Sequence, residues 1–204
     1  MSFKVLLVDD DAGVLKALSR VLRAAGYETR GYATAEEFLA DYAPAEAGCV
    51  VLDLNLPQID GLQLQQTLAS SDSCQPIIFV SGAGDIPTSV RAMKAGAVDF
   101  LTKPVQRQEL IAAVERARER NTHARQSKQD RDDLERRLAK LTPRERQVLD
   151  YVVAGQLNKQ IAAALGTVEK TIKVHRGRMM AKLGMHNVAE LVRLAERAGL
   201  QPRI

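Results

Sequence analysis

Short apolar runs alternate with amphipathic stretches along the front half of the chain. Lys4–Val8, Glu28–Tyr32, Cys49–Leu54, Pro76–Val80 and Asp99–Leu101 read as strands, each too brief for a helix. Between the first two, Val14, Leu15, Leu18, Val21, Leu22 and Ala25 recur at helical spacing, and Gly26 stops the pattern. Thr34, with Glu37 three residues later, forms a capping box that opens a second helix. Leu62, Leu64 and Leu68, then Val90, Met93 and Ala97, mark two more. This repeated β-then-α order predicts a parallel five-stranded sheet covered by helices on both faces.

From Gln106 the pattern changes. Leu110, Ile111, Val114 and Ala117 begin another helix, but Glu119 to Asp133 offers almost nothing to bury. A coiled-coil seam extended beyond Ala124 would place Lys128, Arg131 and Glu135 at its core, where they do not pack. A solvated linker helix is therefore expected, with a dimerising helix as the alternative. Thr142-Pro143-Arg144-Glu145 then restarts the structure, with a Thr cap, Pro in the first turn and Glu closing a capping box. Short helices follow without a strand, broken at Gly155, Gly166 and Gly184. The expected layout is an α/β domain over 1–120, a helical linker over 121–140 and a small all-α domain over 141–204.

Charge divides the chain in the same way. Residues 1–119 carry 11 basic and 16 acidic side chains, whereas 120–204 carry 18 and 9. Within the rear, 120–140 has 7 basic and 4 acidic residues and 141–204 has 11 and 5, so the last segment carries the larger basic excess. Such a segment suits a polyanionic partner. A hydrophobic fraction of 46% excludes global disorder, and 4% aromatic residues without Trp argue against a base-stacking platform. No apolar run is long enough for a membrane span, and no signal peptide is read. Cys49 and Cys74 lack metal spacing. Reduced structural thiols in a cytoplasmic protein are expected.

In a parallel α/β sheet, ligands bind beyond the carboxyl ends of the strands. Asp9, Asp10 and Asp11 follow strand one, Asp53 lies near the end of strand three inside its apolar run, Ser81 follows strand four and Lys103 follows strand five. Carboxylates about 4 Å apart repel by roughly 4 kcal/mol per pair at an effective dielectric near 20. The Lys103 ammonium and a hard divalent cation with oxygen ligands, Mg²⁺ (or Mn²⁺), would offset that repulsion. This constellation suits phosphoryl transfer: cation and Lys103 neutralise phosphoryl oxygens, Ser81 donates a hydrogen bond, and a carboxylate attacks phosphorus.

Asp9-Asp10, Asp53 with Pro57, Asp60-Gly61, Ser81-Gly-Ala and Lys103-Pro104 together resemble the receiver domain of bacterial two-component response regulators, over residues 3 to about 120. The resemblance implies a flavodoxin-like doubly wound fold with Asp53 as phosphoacceptor. It implies that Asp10, Asp53 and the Asn55 backbone carbonyl ligate Mg²⁺ while Asp9 orients its waters. Ser81 and Lys103 would grip the phosphoryl group, and the peptide before Pro104 would be cis. Phe100 stands at the aromatic switch position, where ordinary core packing explains it equally well. Asp11 has no assigned duty and reads as a solvated charge at a helix start.

In the rear module, Asn158–Leu165 reads as a short helix, Gly166-Thr167 as a turn, and Val168–Leu183 as a second helix. Val168, Ile172, Met179 and Leu183 form its apolar stripe, while Lys170, Lys173, Val174 and Gly177 share another face. A basic helix after a short helix and tight turn reads as a recognition helix for the DNA major groove. Leu141-Thr-Pro-Arg-Glu145, Asn158-Lys-x-Ile-Ala162, Leu165-Gly166, Lys170 to Arg176 and Lys182-Leu183 resemble the helix-turn-helix of LuxR/NarL/FixJ-type regulators, to about Gly199. Two departures stand out. Val168 occupies a helix-opening position usually held by Ser or Thr, leaving Thr167 to cap one residue early, and Gly177 offers no side chain where DNA is often reached. Lys173 and Val174 are assigned to base edges. Lys170, Arg176, Arg178 and Lys182, with Thr142 and Lys159, are assigned to phosphates. His175 could point either way, with an orienting role favoured; His123 and His186 read as surface residues.

The expected function is a phosphorylation-activated transcription factor of the FixJ-like branch, in which phosphorylation of Asp53 shifts the receiver surface and promotes dimerisation, releases the DNA-binding module, or both. Its partners would be a sensor histidine kinase, double-stranded promoter DNA, a second copy of itself when phosphorylated, and RNA polymerase; no membrane is expected. The rival readings are a Mg²⁺-dependent phosphohydrolase, for which no general acid or lid insertion is seen, and a signalling adaptor whose basic module binds protein.

Overall fold

The computed structural model describes residues 3–57, 59–71, 73–82 and 86–197, with backbone alone over 193–197. The end of the helix-turn-helix resemblance, near Gly199, lies outside the described residues. The chain forms two compact units, residues 1–126 and 127–204.

The first unit begins with β1 (Lys4–Val8), α1 (Ala12–Ala24), β2 (Glu28–Tyr32), α2 (Ala35–Asp41) and β3 (Gly48–Asp53). It continues with α3 (Gly61–Ser70), β4 (Ile77–Ser81), α4 (Ile86–Lys94), β5 (Asp99–Thr102) and the start of α5 (Arg107–Leu138). The strands are all parallel, in the order β2-β1-β3-β4-β5. One face packs Phe38, Leu64, Leu68 and Ala92 from α2, α3 and α4 against Val50, Leu52 and Phe79. The other packs Leu18 and Leu22 of α1 and Leu110, Val114 and Ala117 of α5 against Val5, Val51 and Ile78. The doubly wound fold is as expected. β3 starts one residue early, at Gly48, because a side chain there would stand 2.5 Å from the Lys4 carbonyl; only glycine lets β1 and β3 approach so closely.

The connection between β1 and β3 is the topological switch point, since their following helices lie on opposite faces. Asp9 and Asp53 therefore emerge side by side at the carboxyl edge.

The polar stretch after Glu119 differs from expectation at its beginning. Asn121 is buried, its amide donating to the Cys74 carbonyl at 2.7 Å, and Arg125 donates to the Ala45 carbonyl. Two hydrogen bonds to loop carbonyls hold these turns without any apolar stripe, so residue 121 is not part of a solvated linker.

In the second unit, the end of α5 is followed by α6 (Pro143–Val153), α7 (Asn158–Ala164), α8 (Glu169–Leu183) and α9 (Val188–Arg197). Their core joins Val148, Leu149 and Val152 of α6 to Ile161 of α7, Ile172, Met179 and Leu183 of α8, and Leu191 of α9. The capping box at Thr142 and Glu145 is present. Val168, however, is the N-cap of α8 in extended conformation and is 65% exposed, so it does not continue the apolar stripe. Thr167 does not cap early either: its N–H closes the preceding turn on the Ala162 carbonyl, and the α8 cap makes no side-chain hydrogen bond. Among the described residues, no helix is long and apolar enough to cross a membrane.

Candidate functional site

At the carboxyl edge of the first unit, four of the five strands, β1, β3, β4 and β5, deliver polar groups. Asp9 follows β1 and is 2% exposed; its Oδ1 accepts from the Asp11 N–H at 3.0 Å. Asp53 ends β3, is likewise buried, and its Oδ1 faces the Asn55 N–H at 3.4 Å. Lys103, after β5, places its ammonium 2.7 Å from Asp9 Oδ2 and 3.0 Å from Asp53 Oδ2. Asp10 is exposed, and one carboxylate oxygen each from Asp9, Asp10 and Asp53 falls within 4.8 Å of the others. Ser81, fully buried at the end of β4, accepts the Lys103 N–H on its carbonyl at 2.8 Å. The Lys103–Pro104 peptide is cis.

Two other residues shape this edge. Asp11, read as a solvated charge, caps α1 by accepting from the N–H groups of Gly13 at 2.7 Å and Val14 at 3.2 Å. A capping Asp two residues before a helical Gly was the available signal. Gly61 opens α3 directly against β3; a Cβ there would meet the Asp53 carbonyl at 2.6 Å, so this glycine lets the helix start beside the acidic cluster. Phe100 is half-buried, its ring centroid 6.2 Å from that of Phe79, and it packs on the same core face.

The electrostatics follow from this crowding. Burial pushes the Asp9 carboxyl above its ordinary value, only partly opposed by Lys103 and the Asp11 N–H. Burial pulls the Lys103 ammonium down, but its close pairing with the Asp9 and Asp53 carboxylates outweighs this and holds it above its ordinary value. Three carboxylates against one ammonium leave the cluster net anionic. Oxygens within 4.8 Å suit a hard cation, whose octahedral ligand oxygens lie about 3–4 Å apart.

The second unit presents the basic helix. Lys159, Lys170, Lys173, Gly177 and Arg178 are exposed, as is Val174 at 46%. Arg176 is half-buried and donates to Asn158 Oδ1 at 2.7 Å, tying α8 to α7. His175 is half-buried, whereas His123 and His186 are exposed. Thr142 uses its hydroxyl oxygen to accept from the Glu145 N–H.

Lys182, expected to meet phosphate, places its ammonium 2.6 Å from the buried Glu145 carboxylate. That pairing, too distant in sequence for a periodicity to reveal, ties α8 to α6 while leaving Lys182 on the exposed surface. The Lys182 ammonium, helped by the Thr142 N–H, holds the Glu145 carboxyl at about 2 against an ordinary 4.5. Its stabilisation is therefore present above pH 4.5 and lost as the pH falls towards 2. Lys182 is 36% exposed, so solvent screening reduces the pair to roughly 1–2 kcal/mol. Thermal unfolding of the full chain across this range should show that loss, and Glu145→Gln should abolish it; identical wild-type and variant pH profiles would contradict the pairing.

Comparison with known proteins finds two family matches along the chain. Residues 5–115 match the response regulator receiver domain, and residues 139–195 match the bacterial regulatory proteins of the luxR family. The chain is 41% identical to nodulation protein W of Bradyrhizobium diazoefficiens over 96% of its own length and 86% of the relative's. It is 40% identical to the transcriptional regulatory protein FixJ of Rhizobium meliloti, over 98% of each chain. The solved structure of the response regulator StyR superposes with a TM-score of 0.84 at 43% identity, covering 97% of this chain and 100% of that one.

Proposed function

The chain belongs to the FixJ-like response regulators, phosphorylation-activated transcription regulators that join a receiver to a LuxR-type DNA-binding domain, and from that premise we propose that Asp53 is its phosphoacceptor. Such an architecture makes the chain a regulator and not a classical enzyme. The convergence of Asp9, Asp10, Asp53 and Lys103 on one edge carries the assignment.

A sensor histidine kinase presents a phosphoimidazole at this edge. The Asp53 carboxylate attacks phosphorus, the P–N bond breaks, and the histidine nitrogen keeps the electron pair. Asp10, Asp53 and the Asn55 carbonyl would hold Mg²⁺ (or Mn²⁺), Asp9 would orient its waters, and the cation would neutralise charge at phosphoryl oxygens. Lys103 moves its ammonium from the carboxylates to the phosphoryl group. Small phosphodonors serve in place of the kinase, and slow hydrolysis of the aspartyl phosphate resets the site.

The phosphoryl dianion draws the Ser81 hydroxyl inward, and Phe100 follows into the space released. Reversing a 1:99 equilibrium to 99:1 requires about 5.5 kcal/mol, more than ordering one loop provides. Formation of a dimer through the altered receiver surface supplies the remainder. Two DNA-binding domains then engage neighbouring half-sites with added avidity. Lys173 and Val174 read base edges, while Lys159, Lys170, Arg178, Thr142 and the remaining Arg176 N–H groups meet phosphates. RNA polymerase is the partner at the promoter, and the chain works in the cytoplasm.

One experiment tests this reading. The mass of the full chain, and its affinity for a duplex enriched from a random-sequence library, are measured with and without a small phosphodonor and Mg²⁺. The donor should double the mass and tighten binding. Lys173→Ala should weaken the enriched duplex by roughly 1–3 kcal/mol while sparing random DNA. No response to the donor would reject the switch, and an equal loss on random DNA would move Lys173 to the phosphates.

A further inference from the structure

The carboxyl end of α8 is held by a residue that no DNA-reading pattern singles out. Arg137, near the end of α5, donates from Nη1 to the Leu183 carbonyl at 2.8 Å, while Nη2 pairs with Asp133 Oδ2 at 2.6 Å. Leu183 is the last residue of α8, so its carbonyl is among those with no partner within the helix. Next to it, Gly184 turns left-handed at φ 68°, and a Cβ there would stand 2.9 Å from the Arg137 guanidinium. The guanidinium thus occupies the place where a side chain at 184 would sit. It also sets positive charge against the negative end of the helix dipole.

We propose that Arg137 is a positioning residue for DNA reading: it fixes the end of α8 from which Lys173 and Val174 are aimed. The inference rests on the assignment of those two residues to base edges. Val174 lies nine residues before Leu183, about 13 Å along the axis at about 1.5 Å per residue. A pivot of about 5° at the fixed end moves Val174 by about 1 Å, more than the roughly 0.5 Å that a preorganised polar contact tolerates. Asp133 holds one edge of the guanidinium and so directs the other towards Leu183. A lysine ammonium, lacking that planar fork, has no equivalent geometry.

The test uses the full chain as wild type, Arg137→Ala and Arg137→Lys. Affinities are measured on the duplex enriched by the wild-type protein and on random DNA, over a range of salt. Arg137→Ala should lose about tenfold in affinity for the enriched duplex and less than twofold on random DNA, with an unchanged salt slope. Arg137→Lys should recover less than half of the lost discrimination. Hydrogen exchange at the Met180–Met185 amides should be about tenfold faster in Arg137→Ala, which reads the cap without DNA.

Equal losses on both duplexes with a shallower salt slope would make Arg137 a phosphate contact. Unchanged discrimination below the unfolding transition would make it a stabilising residue only, and full rescue by Lys would reduce it to a charge near the helix end. Each of these overturns the proposal. Failure of the wild type to enrich any duplex would reject the base-edge reading; the exchange rates would still decide whether Arg137 holds α8.

Discussion

Asp53→Asn is expected to abolish phosphoryl labelling of the chain by a small phosphodonor with Mg²⁺, and with it every donor-dependent change in mass and DNA affinity. The amide is a far weaker nucleophile than the carboxylate, and no neighbouring carboxylate is placed equivalently. Asp9 is buried, already paired with Lys103 at 2.7 Å, and held by the Asp11 N–H. Asp10 is exposed and lies off the strand end. The fold should survive. Substitution removes the Lys103–Asp53 attraction and the Asp9–Asp53 repulsion together, and an amide oxygen still accepts from Lys103 at the same position. Thermal unfolding in the absence of metal should therefore shift by only a few degrees. Persistent acid-labile, hydroxylamine-sensitive labelling of the variant would move the phosphoacceptor elsewhere.

The sheet was legible because its signal is local. Apolar runs such as Cys49–Leu54 and Pro76–Val80 needed only a one- or two-residue adjustment at their ends. The acidic cluster was legible for a topological reason: strand ends in a parallel sheet converge, so Asp9, Asp53 and Lys103 could be gathered on one edge before any distance was known. What escaped the pattern is long-range and polar. Asn121 is buried by a single good hydrogen bond to a loop carbonyl, and a hydropathy pattern registers it as solvent-facing. Lys182 and Glu145 are 37 residues apart and Arg137 and Leu183 are 46 apart. Neither pairing carries a period. Val168 failed for another reason: a stripe extrapolated backwards assumes helical backbone, and at the N-cap that assumption ends.

Lys103→Met should separate the two tasks assigned to the ammonium, in opposite directions. As a counter-ion it neutralises Asp9 and Asp53; as a phosphoryl ligand it pairs with charge that develops during transfer. Removing a preorganised group of the second kind typically costs about 10²–10³-fold, and labelling by a small phosphodonor should slow by that factor. Removing the first leaves two buried carboxylates facing each other. Because Lys103 is 22% exposed, the metal-free loss should be about 2–3 kcal/mol, below that for a fully buried pair. Burial already raises the Asp9 carboxyl, and loss of Lys103 raises it further. A carboxyl raised in the folded state stabilises at low pH and loses that contribution as the pH climbs through its folded value, so the deficit should be greatest at neutral pH and shrink on acidification. The same vacated charge favours a divalent cation. Mg²⁺ should bind the variant more tightly than the wild type, and its addition should restore much of the lost melting temperature by mass action. Calorimetric titration of Mg²⁺ alongside labelling rates tests both signs together. Weaker Mg²⁺ binding with slow labelling would mean that Lys103 organises the carboxylates for the cation, and unchanged values of both would remove it from the site.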